Sequence, residues 1–228
     1  MPRRRTTLLL GRGAVAVGLA LIGLVAWQYV GTNVLSERRH AELVEDIRRS
    51  WEGPVPAVRR ISEKPASARD AARPEERVAG SALVRIPRFG VDYVMPVVEG
   101  TDDEALASGI GHHVGTAAVG GVGNYVLAGH RVTHGEPMRR MRSLRPGDVV
   151  EVETRRMVYT YVLDTEPDQL VVDDDASWVL DPRPVNPVAS GPQPSREPRL
   201  ITLVSCAEVF RTDERMVVFG HLARASSK

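Results

Sequence analysis

Cys206 is the one cysteine of a 228-residue chain, and it closes a β-like run, Leu200-Ile-Thr-Leu-Val-Ser-Cys206. A side chain at a strand end lies on a rim that a substrate can reach. The plain reading of a lone cysteine is a small buried apolar residue; the chemical one is a nucleophile. A free thiol, with a pKa of about 8.5, is only a few per cent thiolate at neutral pH, so it needs a base or cation beside it. Six histidines could supply that base: His40, His112, His113, His130, His134 and His221. His130 ends a second β-like run, Asn124-Tyr-Val-Leu-Ala-Gly-His130, so two strand ends could bring Cys and His to one rim. His112 and His113 sit in a glycine-bracketed loop and read as supporting or turn residues, and His40 lies far upstream. A thioacyl-forming reaction also needs a donor for the developing oxyanion. Arg215 opens the strand after Cys206, nine residues on, whereas Arg211 falls in the turn itself. Taken alone, Arg215 reads equally well as a surface arginine.

These residues need a scaffold. With 43% hydrophobic and 26% charged residues, the chain suits one ordinary domain plus appendages. A single cysteine excludes a disulfide-stapled miniprotein and a thiolate metal site, and no cofactor is called for. The formal net charge of +1 gives no basic field for nucleic acid. It hides an asymmetry, since residues 1–80 carry a formal +5 and 81–228 a formal −4.

From Ser81 onward the pattern is short β-like runs punctuated by turns: Ala82–Ile86, Val91–Val98, Tyr125–Ala128, Asp148–Thr154, Val158–Leu163, Leu200–Val204 and Met216–Phe219. Arg155-Arg156 marks a hairpin, Arg145-Pro-Gly-Asp148 a turn. Helical pieces fit Thr101–Ser108, capped by Thr101 with Glu104, and Glu136–Leu144. Many short strands with helices only as insertions predict a closed or nearly closed β-barrel. Between Pro167 and Pro198 lies a long proline-rich connection with an acidic run, Asp173-Asp-Asp175. That run reads as a solvated turn, with a weak Ca²⁺ patch as the other reading.

The N-terminus organises differently. Arg3, Arg4, Arg5 and Arg12 precede an uncharged stretch from Gly13 to Trp27. With its flanks, this block approaches the ~20 residues of a membrane-crossing helix. Trp27 and Tyr29 suit the far interface, and the arginines set the N-terminus in the cytoplasm. A cleaved signal peptide is the competing reading, opposed by the bulky Trp27 to Val30 where small residues should stand. The expected organisation is therefore a basic cytoplasmic segment at 1–12, a single-pass transmembrane signal anchor at 13–30, an extracellular stalk at 31–80 and a catalytic barrel at 81–228. Within the stalk, Leu43, Val44, Ile47 and Trp51 predict a short amphipathic helix over 36–52. Outside the membrane an unpaired thiol is an oxidation liability, so its retention favours a reactive role.

The segment from Ile86-Pro-Arg-Phe-Gly90 to Leu222 resembles the sortases, membrane-anchored cysteine transpeptidases of Gram-positive cell walls. Three blocks carry the resemblance, in order. Pro96-Val-Val-Glu-Gly100 with Gly109-Ile-Gly-His-His-Val-Gly-Thr116 is similar to the segment before the family's catalytic histidine. Gly123-Asn-Tyr-Val-Leu-Ala-Gly-His-Arg131, then Leu144-Arg-Pro-Gly-Asp148, is similar to the histidine block. Thr202-Leu-Val-Ser-Cys206 with Arg215-Met-Val-Val-Phe219 is similar to the cysteine signature and its arginine strand. The Cys-to-Arg interval and the long connection before the cysteine strand look most like class E of the actinobacteria.

The resemblance implies a mainly β fold, a sortase-like closed eight-stranded barrel with short helices behind an N-terminal transmembrane helix. It implies catalysis by Cys206, His130 and Arg215, with Thr202 and Ser205 contacting substrate. Cys206 would attack the Thr–Gly bond of a Leu-Pro-x-Thr-Gly or Leu-Ala-x-Thr-Gly sorting signal on a surface protein. An amine of a peptidoglycan precursor or a pilin lysine would then accept the thioacyl group. The chain also departs from the family. Ser205 stands where Thr is usual, Val204 where class E often has Thr, and Ala207-Glu208 where a His-Pro pair is common. His134 takes the place of an aromatic, often Tyr, and Met138 that of Phe. The altered cysteine flank motivates a second reading, a catalytically weak barrel that binds sorting-signal peptides or wall partners. A third is an unrelated wall-binding β-domain with a buried cysteine.

Overall fold

A computed structural model describes residues 2–27, 31–53, 82–206 and 213–228. Nine strands form one sheet: β1 (Leu83–Arg85), β2 (Met95–Glu99), β3 (Ile110–His112), β4 (Gly123–Ala128), β5 (Val149–Glu153), β6 (Met157–Leu163), β7 (Val171–Asp173), β8 (Arg199–Cys206) and β9 (Glu214–Ser227). The order β6-β5-β1-β2-β3-β4-β8-β9 closes on itself because β9 also pairs with β6. This is an eight-stranded closed barrel, with β7 added beside the first residues of β9. Pairing is antiparallel except for β2–β3 and β4–β8.

Period-two alternation builds the interior. Val150 and Val152 of β5, Leu127 of β4, Ile201 and Leu203 of β8 and Val218 of β9 are buried together there. The outer face of β8 and β9 is covered as well. Leu170, Trp178, Val179 and Leu180, from the connection between β6 and β8, pack on Val217 and Phe219. The proline-rich connection is thus partly a second layer, and β8 and β9 read as continuous apolar runs because both faces are buried.

The hairpin at Arg155-Arg156 and the turn at Arg145–Asp148 are where the sequence puts them. Other expectations are corrected. The helix α3 (Asp103–Ala107) is capped by Asp102, whose carboxylate accepts from Ala105 N at 3.0 Å, and not by Thr101. An Asp side chain one residue closer serves an exposed amide as well as a Thr hydroxyl does. The expected helix over Glu136–Leu144 is a series of turns ending in one 3-10 turn at Met141–Ser143. Its buried residues Met138, Met141 and Leu144 recur every three positions, the period of the tighter helix.

Two helices precede the barrel. The helix α1 spans Pro2–Ala26 and α2 spans Thr32–Glu52. Among the described residues no helix is long and apolar enough to cross a membrane. From Gly13 to Ala26 the uncharged part of α1 covers only about 21 Å at 1.5 Å per residue, against ~30 Å of hydrocarbon. Gln28–Val30, counted in the expected span, lie outside the described residues. α2 lies against the barrel: Val44 and Ile47 pack with Leu83, joined by Trp51 and Val94. Lys228 Nζ sits 4.0 Å over the Trp51 ring, and Arg155 donates to the Gly53 carbonyl.

Candidate active site

The registers of three neighbouring strands do the positioning. Across the antiparallel pair β8–β9, Cys206 lies directly opposite Arg215. Across the parallel pair β4–β8, Ala128 lies opposite Val204, and Gly129 N donates to the Val204 carbonyl at 3.2 Å, carrying the ladder one step past β4. The next residue on one strand is His130, and Cys206 stands two past Val204 on the other. Paired residues share a face and alternate residues return to it. Cys206, Arg215 and His130 therefore fall on the outer face of β4, β8 and β9, in adjoining strands at one end of the barrel.

Two further hydrogen bonds lock that end. Arg131 Nε donates to the Cys206 carbonyl at 2.8 Å, and Ser205 Oγ donates to the Gly129 carbonyl at 2.8 Å. Arg131 is a site residue that the sequence reading misses, although its place directly after His130 is an available signal. Cys206 is half-buried with a free thiol.

Thr202 shares the outer face with Cys206 but is 0% exposed. Its hydroxyl donates to Asn124 Oδ1 at 2.6 Å, and Asn124 Nδ2 donates to the Val179 carbonyl at 2.9 Å, under the covering segment. Ser205 is 3% exposed, with its hydroxyl engaged at Gly129. Both hydroxyls, expected to contact substrate, are engaged within the protein. The covering layer closes over Thr202, and Ser205 points inward by alternation.

His130 is the most perturbed group of the site. Its Nε2 is buried and, among the described residues, has no hydrogen-bond partner. Burial, then the neighbouring His134 imidazole, lower its pKa to about 4, with Asp103 pulling weakly the other way. The ring is therefore neutral at pH 7. His134 stacks on it at 4.6 Å between centroids and 26° between planes, so the position where an aromatic is usual still supplies a ring.

Arg215 Nη2 lies 3.7 Å from Asp174 Oδ2, and Nη1 donates to the Glu214 carbonyl at 3.1 Å. The acidic run at 173–175 thereby sets a carboxylate beside the arginine, because β7 pairs Val172 with Arg215. Among the described residues no group of three or more His, Cys, Asp and Glu could hold a metal ion. Ala207, Glu208 and Arg211 lie outside the described residues.

The remaining histidines are held elsewhere. His112 sits between Glu99 Oε2 at 2.8 Å and the Ala117 carbonyl at 3.1 Å, against the Tyr125 ring. His113 contacts the Val114 carbonyl, and His221 pairs with Asp164 at 2.8 Å near the start of β8. His40 is buried on α2.

The chain is similar to known proteins in sequence and fold. A family model described as a Sortase domain matches residues 84–223. Sortase SrtE1 of Streptomyces coelicolor is 29% identical over 220 residues, an alignment covering 93% of this chain and 56% of that protein. The chain thus spans little more than half the length of that relative. Sortase E from Streptomyces avermitilis is 36% identical with a TM-score of 0.57, covering 65% of this chain and 90% of that one. Sortase E1 from Streptomyces coelicolor, solved with a tripeptide in the active site, is 35% identical with a TM-score of 0.55 and the same coverage.

Proposed function

The chain belongs to the sortase family, and we propose that it acts as a cysteine transpeptidase of the class E type. Cys206 thiolate attacks the Thr carbonyl of a Thr–Gly bond in a Leu-Pro-x-Thr-Gly or Leu-Ala-x-Thr-Gly sorting signal. The carbon–sulfur bond forms, the carbonyl oxygen takes the negative charge, and Arg215 donates to it. As the carbon–nitrogen bond breaks, His130 gives its proton to the leaving glycine amine. An acceptor amine, from a peptidoglycan precursor or a pilin lysine, then attacks the thioester and loses a proton to His130. The amide closes and Cys206 thiolate is released.

The observation that carries this reading is the register that sets Cys206 against Arg215 and beside the extension of β4 to His130. The depressed basicity of His130 has a consequence for the cycle. A buried imidazole of lowered basicity keeps a proton only with a negative charge beside it, so in the proposed cycle the His130 imidazolium depends on the Cys206 thiolate.

A membrane location fits the same reading. In α1, Arg12 is followed by exposed Val15, Val17, Leu19, Leu21, Ile22 and Leu24, with Trp27 exposed beyond. Such a surface suits a lipid phase, with the barrel outside the cell and α2, which lies against the barrel, following α1 in the chain. The test is incubation of the full chain with a fluorogenic sorting-signal peptide and a glycine amine, followed by mass spectrometry. Expected are transpeptidation product and a hydroxylamine-trapped thioacyl adduct, both lost in Cys206→Ala. Peptide binding without cleavage would instead establish the weak, binding-only barrel. Cleavage that persists in Cys206→Ala refutes the mechanism.

A further inference from the structure

The turn that carries His134 is built in an unusual way. His134, Gly135 and Glu136 all have positive φ, at 54°, 75° and 50°. Only the glycine adopts that region without cost, so two side-chain-bearing residues are held in left-handed backbone. The turn places His134 flat on His130. Strain of this kind persists only where neighbouring structure over-determines it.

The restraint comes from α2. Asn33 Oδ1 accepts from Gly135 N at 3.0 Å, while Asn33 Nδ2 donates to Glu136 Oε1 at 2.8 Å. One carboxamide therefore grips the backbone and a side chain of consecutive residues in the strained turn. About two turns further along α2, His40 packs on the same spot: a Cβ added at Gly135 would come within 2.8 Å of His40 Cε1. His40 Nε2 faces the Ala107 carbonyl at 3.3 Å, joining α2 to the end of α3. Glu136 is steadied from the other side by Arg139 at 2.8 Å. Among the described residues, the charged and titratable groups around the His130–His134 pair include His40 and Arg39 from α2, Asp103 from α3, Glu136 with Arg139 from the turn itself, and Arg131 with Cys206 of the site.

We propose that Asn33 is a positioning residue of this centre: its carboxamide clips the left-handed turn 134–136 and so holds the His134 ring against His130, making α2 a working part of the site. The proposal rests on the reading of His130 as the proton carrier, since a fixed ring plane fixes the direction in which Nε2 can deliver a proton. It gives α2 a task beyond spacing the barrel from a membrane.

The test uses the full chain with Asn33→Ala, Asn33→Asp, Glu136→Gln and the double variant N33D/E136Q. Asn33→Asp sets two carboxylates face to face. The double variant restores the contact between positions 33 and 136 with donor and acceptor exchanged, while the carboxylate introduced on α2 still accepts from Gly135 N. Expected is a fall in kcat of about tenfold or more for N33A and N33D, the scale of a misplaced catalytic group, with KM changed less than twofold. E136Q alone and N33D/E136Q should recover to within about twofold of wild type. An activity-independent reading comes from proton NMR: the Overhauser contact between the His130 and His134 rings should weaken in N33A and N33D and return in the double variant. An unchanged ring contact and unchanged kcat in N33A overturn the proposal. So does a double variant no better than N33D when both melt where wild type does. Should N33A not fold, the comparison of N33D with N33D/E136Q decides alone. A wild-type chain that shows the ring contact but processes no sorting-signal peptide refutes the proposed reaction instead, leaving the clip to be judged by the NMR.

Discussion

Thr202→Val separates a substrate contact from an internal brace. The replacement keeps shape and removes one hydroxyl. In the structure that hydroxyl donates at 2.6 Å to Asn124 Oδ1, and both residues are 0% exposed. Without it, Asn124 keeps its bond to the Val179 carbonyl but its own oxygen is left buried and unpaired. Stranding a buried neutral acceptor costs about 1–3 kcal/mol. For a chain of this size that corresponds to a fall in Tm of about 2–12 °C. The assay is urea unfolding followed by fluorescence, run beside steady-state cleavage of a sorting-signal peptide. The expected result is a lower unfolding midpoint with an unchanged denaturant slope, and KM within about twofold of wild type. Adding Asn124→Leu removes the stranded acceptor and should recover part of the loss, as a coupled pair does. A several-fold rise in KM with an unmoved midpoint would refute the reasoning and return Thr202 to the substrate surface.

The depressed pKa of His130, about 4, and the lowered one of His40 mean that the folded chain binds fewer protons than the unfolded one below the ordinary imidazole range. Stability should be complete above about pH 6.5 and fall as pH drops toward 4; His130→Gln should flatten that slope in urea titrations, and an equal slope in both proteins counts against a buried neutral imidazole. Arg131→Ala removes the bond to the Cys206 carbonyl and should lower kcat about tenfold while Tm, read by calorimetry, moves by a few degrees at most. Asp174→Asn breaks a half-exposed pair with Arg215, so unfolding free energy should change by less than about 1 kcal/mol; a larger change in chemical denaturation would mean that the carboxylate is structural.

Much of the barrel is visible in the chain because alternation survives wherever one face is wet. β5, with Val150 and Val152 inward and Glu151 and Glu153 outward, is the clearest case. β3 and β7 escape because three residues each cannot show a period, and β7 is largely exposed at the barrel's margin. The stretch after Glu136 misleads through its apolar spacing, since the positive φ values at 134–136 and Pro137 redirect the chain before a helix can start. Cys206, His130 and Arg215 are legible as strand-end residues in ordered motifs. Their adjacency is not, because it depends on the register of a parallel pair, β4 with β8, whose partners are far apart in sequence. Thr202 shows the limit most plainly. Whether its hydroxyl meets substrate or Asn124 is decided by a loop that folds over it, and no local pattern around Thr202 encodes that loop.

Among the nine described strands β9 comes last in sequence, yet it seals the barrel by pairing with β6, β7 and β8 at once. During synthesis, Cys206 emerges before its opposite number Arg215, and β6 and β8 both wait with open edges until β9 arrives. The thiol is thus made next to an unfinished wall, and in the proposed reaction a half-made chain would hold it without the arginine that serves the oxyanion. Competence arrives late and all at once. In a chain exported as proposed, that order of arrival keeps the acyl-transfer centre silent while the protein is still being threaded out of the cell.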